Sequence, residues 1–300
     1  MNILLFGSTG QVGWELERSL ATLGDVISLH TQSTGFCGDF TNIGNVIDTI
    51  YSIKPDIIVN ASAYTAVDKA EENIKLAEVI NSNSVLEIAK AANSIGALFV
   101  HYSTDYVYSG SGNNYWCESD LPAPLNIYGK TKLEGELAVI ANCKKYLIFR
   151  TSWVYGLIGT NFIKTMLKYG RNNKEISIIN DQYGAPTGAD LLADCTLQAI
   201  KVVMNNSALS GVYNLAASGV TTWYDYALFI FEEAKTNGLE IEIDKINAIN
   251  SDEYKSLAKR PTNSRLSTNK LQETFGLYMP HWKNGVRRMI KEYSLVKNGS

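Results

Sequence analysis

Apolar residues in the first half of the chain fall into short unbroken runs separated by segments with helical spacing. Residues 2–6 (NILLF) form a buried-strand run that stops at Gly7. Residues 11–24 then carry apolar side chains at helical spacing and end at Gly24. The alternation continues: strand 25–30, helix 43–53, strand 55–63, a long helix 75–96, strand 97–105, a helix opening near 126, strand 146–152. This pattern predicts an α/β fold, a doubly wound parallel sheet with ligands at the carboxyl ends of its strands. The second half is less regular. Helices are predicted over 161–170, 189–204, 222–238 and 282–293, with short strand-like pieces at 175–179 and 211–217. Residues 1–152 are expected to form a dinucleotide-binding domain. Residues 153–300 are expected to form a smaller, mainly helical substrate lobe, interleaved with the first at a soft boundary.

Composition narrows the class. The 300 residues are 45% hydrophobic and 19% charged, as in a globular protein, and the net charge of -3 gives no basic field for nucleic acid. No segment approaches the roughly 20 apolar residues of a membrane span. The start lacks the basic region of a signal peptide. Cys37, Cys117, Cys143 and Cys195 are widely spaced, which suits reduced thiols and a cytoplasmic location. The three histidines, His30, His101 and His281, form no zinc-like cluster.

Three stretches carry candidate chemistry. GSTGQVG places Gly7, Gly10 and Gly13 between a strand and a helix, where a tight turn and free N–H groups suit a pyrophosphate. The alternative is a glycine-rich turn with no ligand. YSTDYVY ends a predicted strand with Ser103, Thr104 and Asp105, which alone would be an ordinary polar strand end. YGKTK puts Tyr128 and Lys132 one turn apart on one helix face, where packing beside a solvated charge is the plain alternative to a tuned proton donor. All three in this order on an α/β chain are much rarer than any one.

With NILLFGSTGQVGWEL, KPDIIVNASAYTAVDKAE, HYSTDYVY, PLNIYGKTKLEGE, FRTSWVYG, NDQYGAPTGADLLAD and RPTNSRL, the chain resembles the extended short-chain dehydrogenase/reductases over nearly its whole length. The resemblance implies NAD(P)H-dependent reduction of the C4 keto group of a dTDP-4-dehydro sugar, dTDP-4-dehydro-β-L-rhamnose. It implies Tyr128 as the general acid, Lys132 as the cation that lowers the tyrosine's pKa from about 10 and holds the nicotinamide ribose, and Thr104 as a donor to the carbonyl. Gly10, Gln11 and Val12 would contact the cofactor, Asp39 and Phe40 would border its adenine, and Ala63, Tyr64, Thr65 and Tyr102 would line its channel. Asp105 and Trp153 would touch the substrate, and Asn161 and Arg260 are candidates for its diphosphate. Core packing for Trp153 and plain surface charge for Arg260 are the alternatives. His30 stands where close relatives can have Asp at the adenosine ribose, which implies use of both cofactors with a modest NADPH preference. A homodimer with Mg²⁺ at Glu15, Asp190 and Glu292 is a further implication, against which stands ordinary solvated acidity. Tyr106 replaces the Glu of the dehydratase branch. Two rival readings are a reductase of another nucleotide 4-keto sugar and a dinucleotide-binding regulatory subunit without turnover.

Overall fold

The computed structural model describes residues 1–298. Five strands arise where the unbroken apolar runs lie: β1 Asn2–Phe6, β2 Asp25–Leu29, β3 Ile57–Asn60, β4 Leu98–Thr104 and β5 Tyr146–Thr151. A sixth, β6 Gly211–Asn214, joins them in one parallel sheet of order β6-β5-β4-β3-β1-β2. Alternate side chains of each strand enter opposite cores, because the strand repeat is two. Ile3 and Leu5 pack toward helices α1 (Gln11–Leu20) and α5 (Ala189–Asn205). Leu4 and Phe6 pack toward α2 (Ile43–Ile53) and α3 (Ser84–Ile95). Burial on both faces explains why these strands read as continuous apolar runs.

Strand order reverses at β1, with β2 on one side and β3 on the other. The crevice at the carboxyl ends of β1 and β3 is therefore the switch point where open α/β sheets bind ligands. Helix α4 (Ile127–Asn142) follows β4 and lies on the α3 side, with Val139 in that core.

The expected long helix over 75–96 is helical from Ile74 to Ile95, but Val79–Asn83 is a π segment, the wider turn that inserts an extra residue. A short helix Val67–Glu72 precedes it, and strand Lys245–Ile249 pairs in parallel with Glu175–Ile179. Helix Asn269–Phe275 was also outside the sequence expectation. Strand β6 and helix α5 come from the second half of the chain yet pack with the first-half sheet and α1. The rest of that half has its own core, in which Ile163, Met166, Tyr226, Ile230, Trp282 and Val286 join helices Phe162–Asn172, Trp223–Thr236 and Trp282–Asn298.

Candidate active site

The turn after β1 can close because it lacks side chains. Gly7 sits at φ +83°, and a Cβ there would come within 2.7 Å of Ala61 C and Ser62 N. A Cβ on Gly13 would lie 2.0 Å from the Gly7 carbonyl oxygen. Gly7 thus brings the turn against the loop after β3, and Gly13 brings α1 against that turn. Gly10 is the N-cap of α1 and lends no side-chain oxygen, so no side chain caps the N–H groups of its first turn, at Gln11 and Val12. A helix N-terminus of this kind suits an anion. The glycine cradle and these donors fit a dinucleotide pyrophosphate.

The other expected cofactor residues have differing surroundings. His30 follows β2, and its Nδ1 accepts from the Gln32 N–H at 3.2 Å. Asp39 closes a turn by accepting from Thr41 N and Oγ1. Phe40 is buried edge-on to Phe6, so its ring serves the core. Ala63 and Tyr64 are half-buried, while Thr65 is exposed. The Asn81 side chain holds both backbone groups of Tyr64, accepting at 2.8 Å and donating at 3.1 Å. Tyr102 turns its ring away from α4, and its hydroxyl pairs with Thr196 of α5 at 2.6 Å.

Thr104 ends β4, and Tyr128 sits in the first turn of α4. The Asn126 N-cap accepts from the Gly129 N–H at 2.8 Å, which fixes where that helix starts. Gly129 is required there: a Cβ would lie 2.2 Å from the Tyr106 carbonyl oxygen. The Thr104 hydroxyl donates to Asp105 Oδ1 at 3.0 Å, accepts from the Tyr106 N–H at 3.2 Å, and lies near enough to the Tyr128 phenol to favour its ionised form. Tyr106 meets the Tyr128 ring edge-on, with centroids 5.7 Å apart. Burial pushes Tyr128 up to about 12, with Thr104 opposing and the Asp105 charge adding to the rise. Burial also raises Asp105 to about 6. Its second carboxyl oxygen is buried without a partner.

Lys132 differs from the expectation of a cation that lowers the tyrosine. Its side chain is 2% exposed and bends into the sheet, where Nζ donates to the Tyr102 carbonyl at 2.6 Å and lies 3.3 Å from His101 Nε2. Burial lowers it to about 8, with the Glu136 charge opposing. The phenol is therefore raised, not lowered, because burial dominates and the amine is committed to β4.

The expected substrate residues divide. Trp153 adopts φ +50°, a rare backbone for a bulky residue, and its indole stacks on Trp223 with centroids 3.6 Å apart. Asn161 caps helix Phe162–Asn172 by accepting from the Lys164 N–H, and its amide donates to Gln11 Oε1 and the Gly156 carbonyl. Its donors are thus spent on the fold, and a diphosphate contact would displace one of these bonds. Arg260 pairs with Asp68 at 2.7 Å, while its Nε is buried without a partner.

Glu15, Asp190 and Glu292 do line one small cavity, but with Arg288 among them. Arg288 donates to Glu292 at 2.8 Å and to Asp190 at 3.4 Å. Its own pKa is raised first by Glu292, then by Asp190 and Glu15. Among the described residues no group of three His, Cys, Asp or Glu side chains could hold a metal. No metal is supported at the expected Mg²⁺ set, whose carboxylates are paired with arginines: Glu15 with Arg18, and Asp190 and Glu292 with Arg288.

Several site-supporting residues lay outside the sequence expectation. Glu136 and Arg150 form a buried pair at 2.6 Å that ties α4 to β5, and Arg150 also donates to the Tyr108 hydroxyl. Asn81 reaches Thr131 as well as Tyr64. His101 lies wholly buried beside Asn60. A histidine inside a continuous apolar strand run was the available signal, since a buried imidazole needs partners.

The chain matches the family described as RmlD substrate binding domain over residues 1–295. It is 56% identical over 292 residues to the dTDP-4-dehydrorhamnose reductase of Escherichia coli K12, covering 97% of this chain and 98% of that protein. Its fold is similar to the crystal structure of a dTDP-4-dehydrorhamnose reductase from Clostridium acetobutylicum, with TM-score 0.88, 36% identity, and 98% and 99% of the two chains covered. The Bacillus anthracis dTDP-4-dehydrorhamnose reductase in complex with NADP gives TM-score 0.87 at 34% identity, over 97% and 99% of the two chains. By these matches the chain belongs to the RmlD substrate binding domain family and, among the extended short-chain dehydrogenase/reductases, to the dTDP-4-dehydrorhamnose reductases.

Proposed function

We propose that this chain reduces the C4 keto group of dTDP-4-dehydro-β-L-rhamnose with NAD(P)H, giving dTDP-β-L-rhamnose. The carrying observation is full-length membership of the reductase family together with an intact Thr104, Tyr128 and Lys132 set beside the glycine cradle. That set favours an enzyme over a regulatory subunit. The bound dinucleotide supplies the hydride.

Tyr128 gives its proton to the C4 oxygen as charge develops there. A phenol raised to about 12 rests in the protonated form that a donor needs. Thr104, already in contact with the phenol, orients the same oxygen. Lys132 lies one turn along α4 from Tyr128, its amine held by the Tyr102 carbonyl, and would turn to the nicotinamide ribose when the cofactor binds. Gln11 and Val12 offer backbone N–H groups to the pyrophosphate, and His30 lies toward the ribose. Trp153 stacks beside the substrate, and Arg260 offers its free Nε to the diphosphate. The substrate lobe is residues 153–300 apart from the pieces packed with the sheet. Among the described residues no helix is long and apolar enough to cross a membrane, and action in the cytoplasm as a homodimer completes the reading.

The test is NADPH oxidation on adding each of a panel of nucleotide 4-keto sugars, with the product identified by NMR. Turnover confined to the dTDP-4-dehydro-β-L-rhamnose arm is expected. Turnover only with another sugar or base would replace the substrate, and none with any would return the regulatory reading.

A further inference from the structure

Trp153 holds φ +50°, a left-handed backbone that a bulky residue keeps only where its surroundings fix it. Two supports fix the indole. The first is Trp223, whose ring lies within 14° of parallel, with centroids 3.6 Å apart. Aromatic pairs left to themselves avoid so full an overlap, so the stack is imposed by what holds Trp223. The antiparallel register Thr221↔Gly184 and Thr222↔Tyr183 brings Trp223 beside Gln182. Trp223 Nε1, which can only donate, gives its hydrogen to Gln182 Oε1 at 3.1 Å. The Gln182 amide then donates to Ser251 Oγ at 3.0 Å, and Ser251 donates to Asp181. Phe162 packs on the Trp223 ring, with centroids 4.6 Å apart.

The second support is Gly184. A Cβ there would lie 2.7 Å from Trp153 Cε2, and 2.9 and 3.0 Å from Cζ2 and Nε1. The nearest atom is a ring-fusion carbon and its two neighbours are farther off, which describes an approach over the face of the ring and not to its rim. A ring stacked at 3.6 Å leaves no room for Gly184 on the same side. Gly184 and Trp223 therefore cover opposite faces of Trp153. An indole that is half-buried, with both faces covered, has only its rim left for a ligand. That rim is the positive edge of the ring and carries its one hydrogen-bond donor, the Nε1–H.

We propose that Trp223 and Gly184 are positioning residues that clamp Trp153 edge-on, so that an oxygen of the sugar nucleotide meets the Nε1–H and no part of the substrate stacks on the ring. This rests on the reading of Trp153 as a substrate contact of the reductase. It gives the NDQYG stretch, residues 180–184, its role: Gly184 touches one face of Trp153, and Gln182 fixes the ring that covers the other. Trp153 then selects for the oxygens of the sugar or diphosphate, and a base gains nothing from it.

The test uses dTDP-β-L-rhamnose, the product of the proposed reaction, with NADPH present, a pair that cannot turn over. Indole N–H signals of the five tryptophans are followed by ¹⁵N NMR, with Trp153→Phe identifying that of Trp153. Circular dichroism follows the exciton couplet of the stacked pair. The wild type is expected to show the couplet, to keep it on binding, and to move the Trp153 N–H proton downfield as an oxygen accepts from it. Trp223→Leu keeps an apolar body without a ring. It should lose the couplet and weaken dTDP-β-L-rhamnose binding roughly tenfold, the worth of one hydrogen bond, with NADPH binding within about twofold of wild type. Trp223→Phe, which can still stack, should recover most of that loss. Gly184→Ala presses on the other face and should weaken the sugar nucleotide in the same way. A couplet lost when the ligand binds overturns the proposal, because the ligand has then taken the face from Trp223. So does a Trp153 signal that binding leaves unmoved or moves upfield, or a Trp223→Leu that binds like wild type. If Trp223→Leu does not fold, the wild-type signals and Gly184→Ala still decide. A wild type that binds NADPH but no dTDP-β-L-rhamnose ends the reductase reading and the clamp with it, whereas binding with an unmoved Trp153 signal ends the clamp alone.

Discussion

Tyr128→Phe keeps the ring against Tyr106 and removes only the oxygen that meets Thr104. General acid catalysis is typically worth about 10²–10⁴-fold, so kcat should fall on that scale while NADPH binding, read by fluorescence, stays within a few-fold. Activity within a few-fold of wild type would remove the proton-donor role. Asp105 offers a test in stability. Its folded pKa, about 6, lies above the ordinary 3.8, so the fold favours its protonated form. That contribution is fully present below about pH 3.8 and is lost as pH rises through about 6. Asp105→Asn removes the titration and keeps an acceptor for Thr104. At pH 8 it should be more stable than wild type by roughly 2–3 kcal/mol, with the difference vanishing near pH 4. Urea unfolding at the two pH values reads this, and an equal difference at both would show that the Asp105 carboxyl does not carry it.

At the scale of elements, the site depends on α4 being held at a fixed height against β4 and β5. The Glu136–Arg150 pair does this inside the protein, with both side chains nearly inaccessible and three hydrogen bonds between them. Removing one partner strands a buried charge, so Glu136→Ala should cost about 3–5 kcal/mol in urea unfolding. A loss below about 1 kcal/mol would mean that the arginine finds water or another partner. The end of β2 carries a different test. His30→Asp places a carboxylate where one can accept from a ribose hydroxyl and repel a 2′-phosphate. The ratio of kcat/KM for NADPH over NADH should drop by roughly tenfold or more, about 1.4 kcal/mol. An unmoved ratio would place His30 away from the ribose. The strands and helices of the sheet were legible because each is a local pattern: an apolar run, a helical repeat, a glycine stop. The π segment was not, since one extra residue in a turn leaves the apolar repeat around it nearly intact. Nor were the pairs His101–Asn60 and Glu136–Arg150 legible, because their members are far apart in sequence and meet only when the sheet forms. Thr104, Tyr128 and Lys132 were legible as a set, but the sequence gives no sign that the lysine turns into the sheet instead of toward the tyrosine.

For the molecule as a whole, the cavity of Glu15, Asp190 and Glu292 joins α1 and α5 of the sheet layer to the C-terminal helix Trp282–Asn298. A divalent cation there would have to compete with Arg288, which reaches Asp190 and Glu292 at once and stays charged at any ordinary pH. Each acidic side chain is partly exposed, so these pairs contribute little to stability singly. Their effect is to place a positive charge between two of the cavity's carboxylates without a metal. The molecular mass in sedimentation should therefore be the same in Mg²⁺ and in EDTA, whatever the number of subunits. Arg288→Ala strips the cavity of its resident charge and leaves Asp190 and Glu292 unpaired beside Glu15, which Arg18 still holds. That variant, unlike the wild type, should gain thermal stability on adding Mg²⁺, because a ligand that binds only the folded state shifts unfolding in proportion to its occupancy. A wild type that changes mass with EDTA would show that the carboxylates can leave Arg288 for a metal. A variant indifferent to Mg²⁺ would show that they do not converge closely enough to hold one.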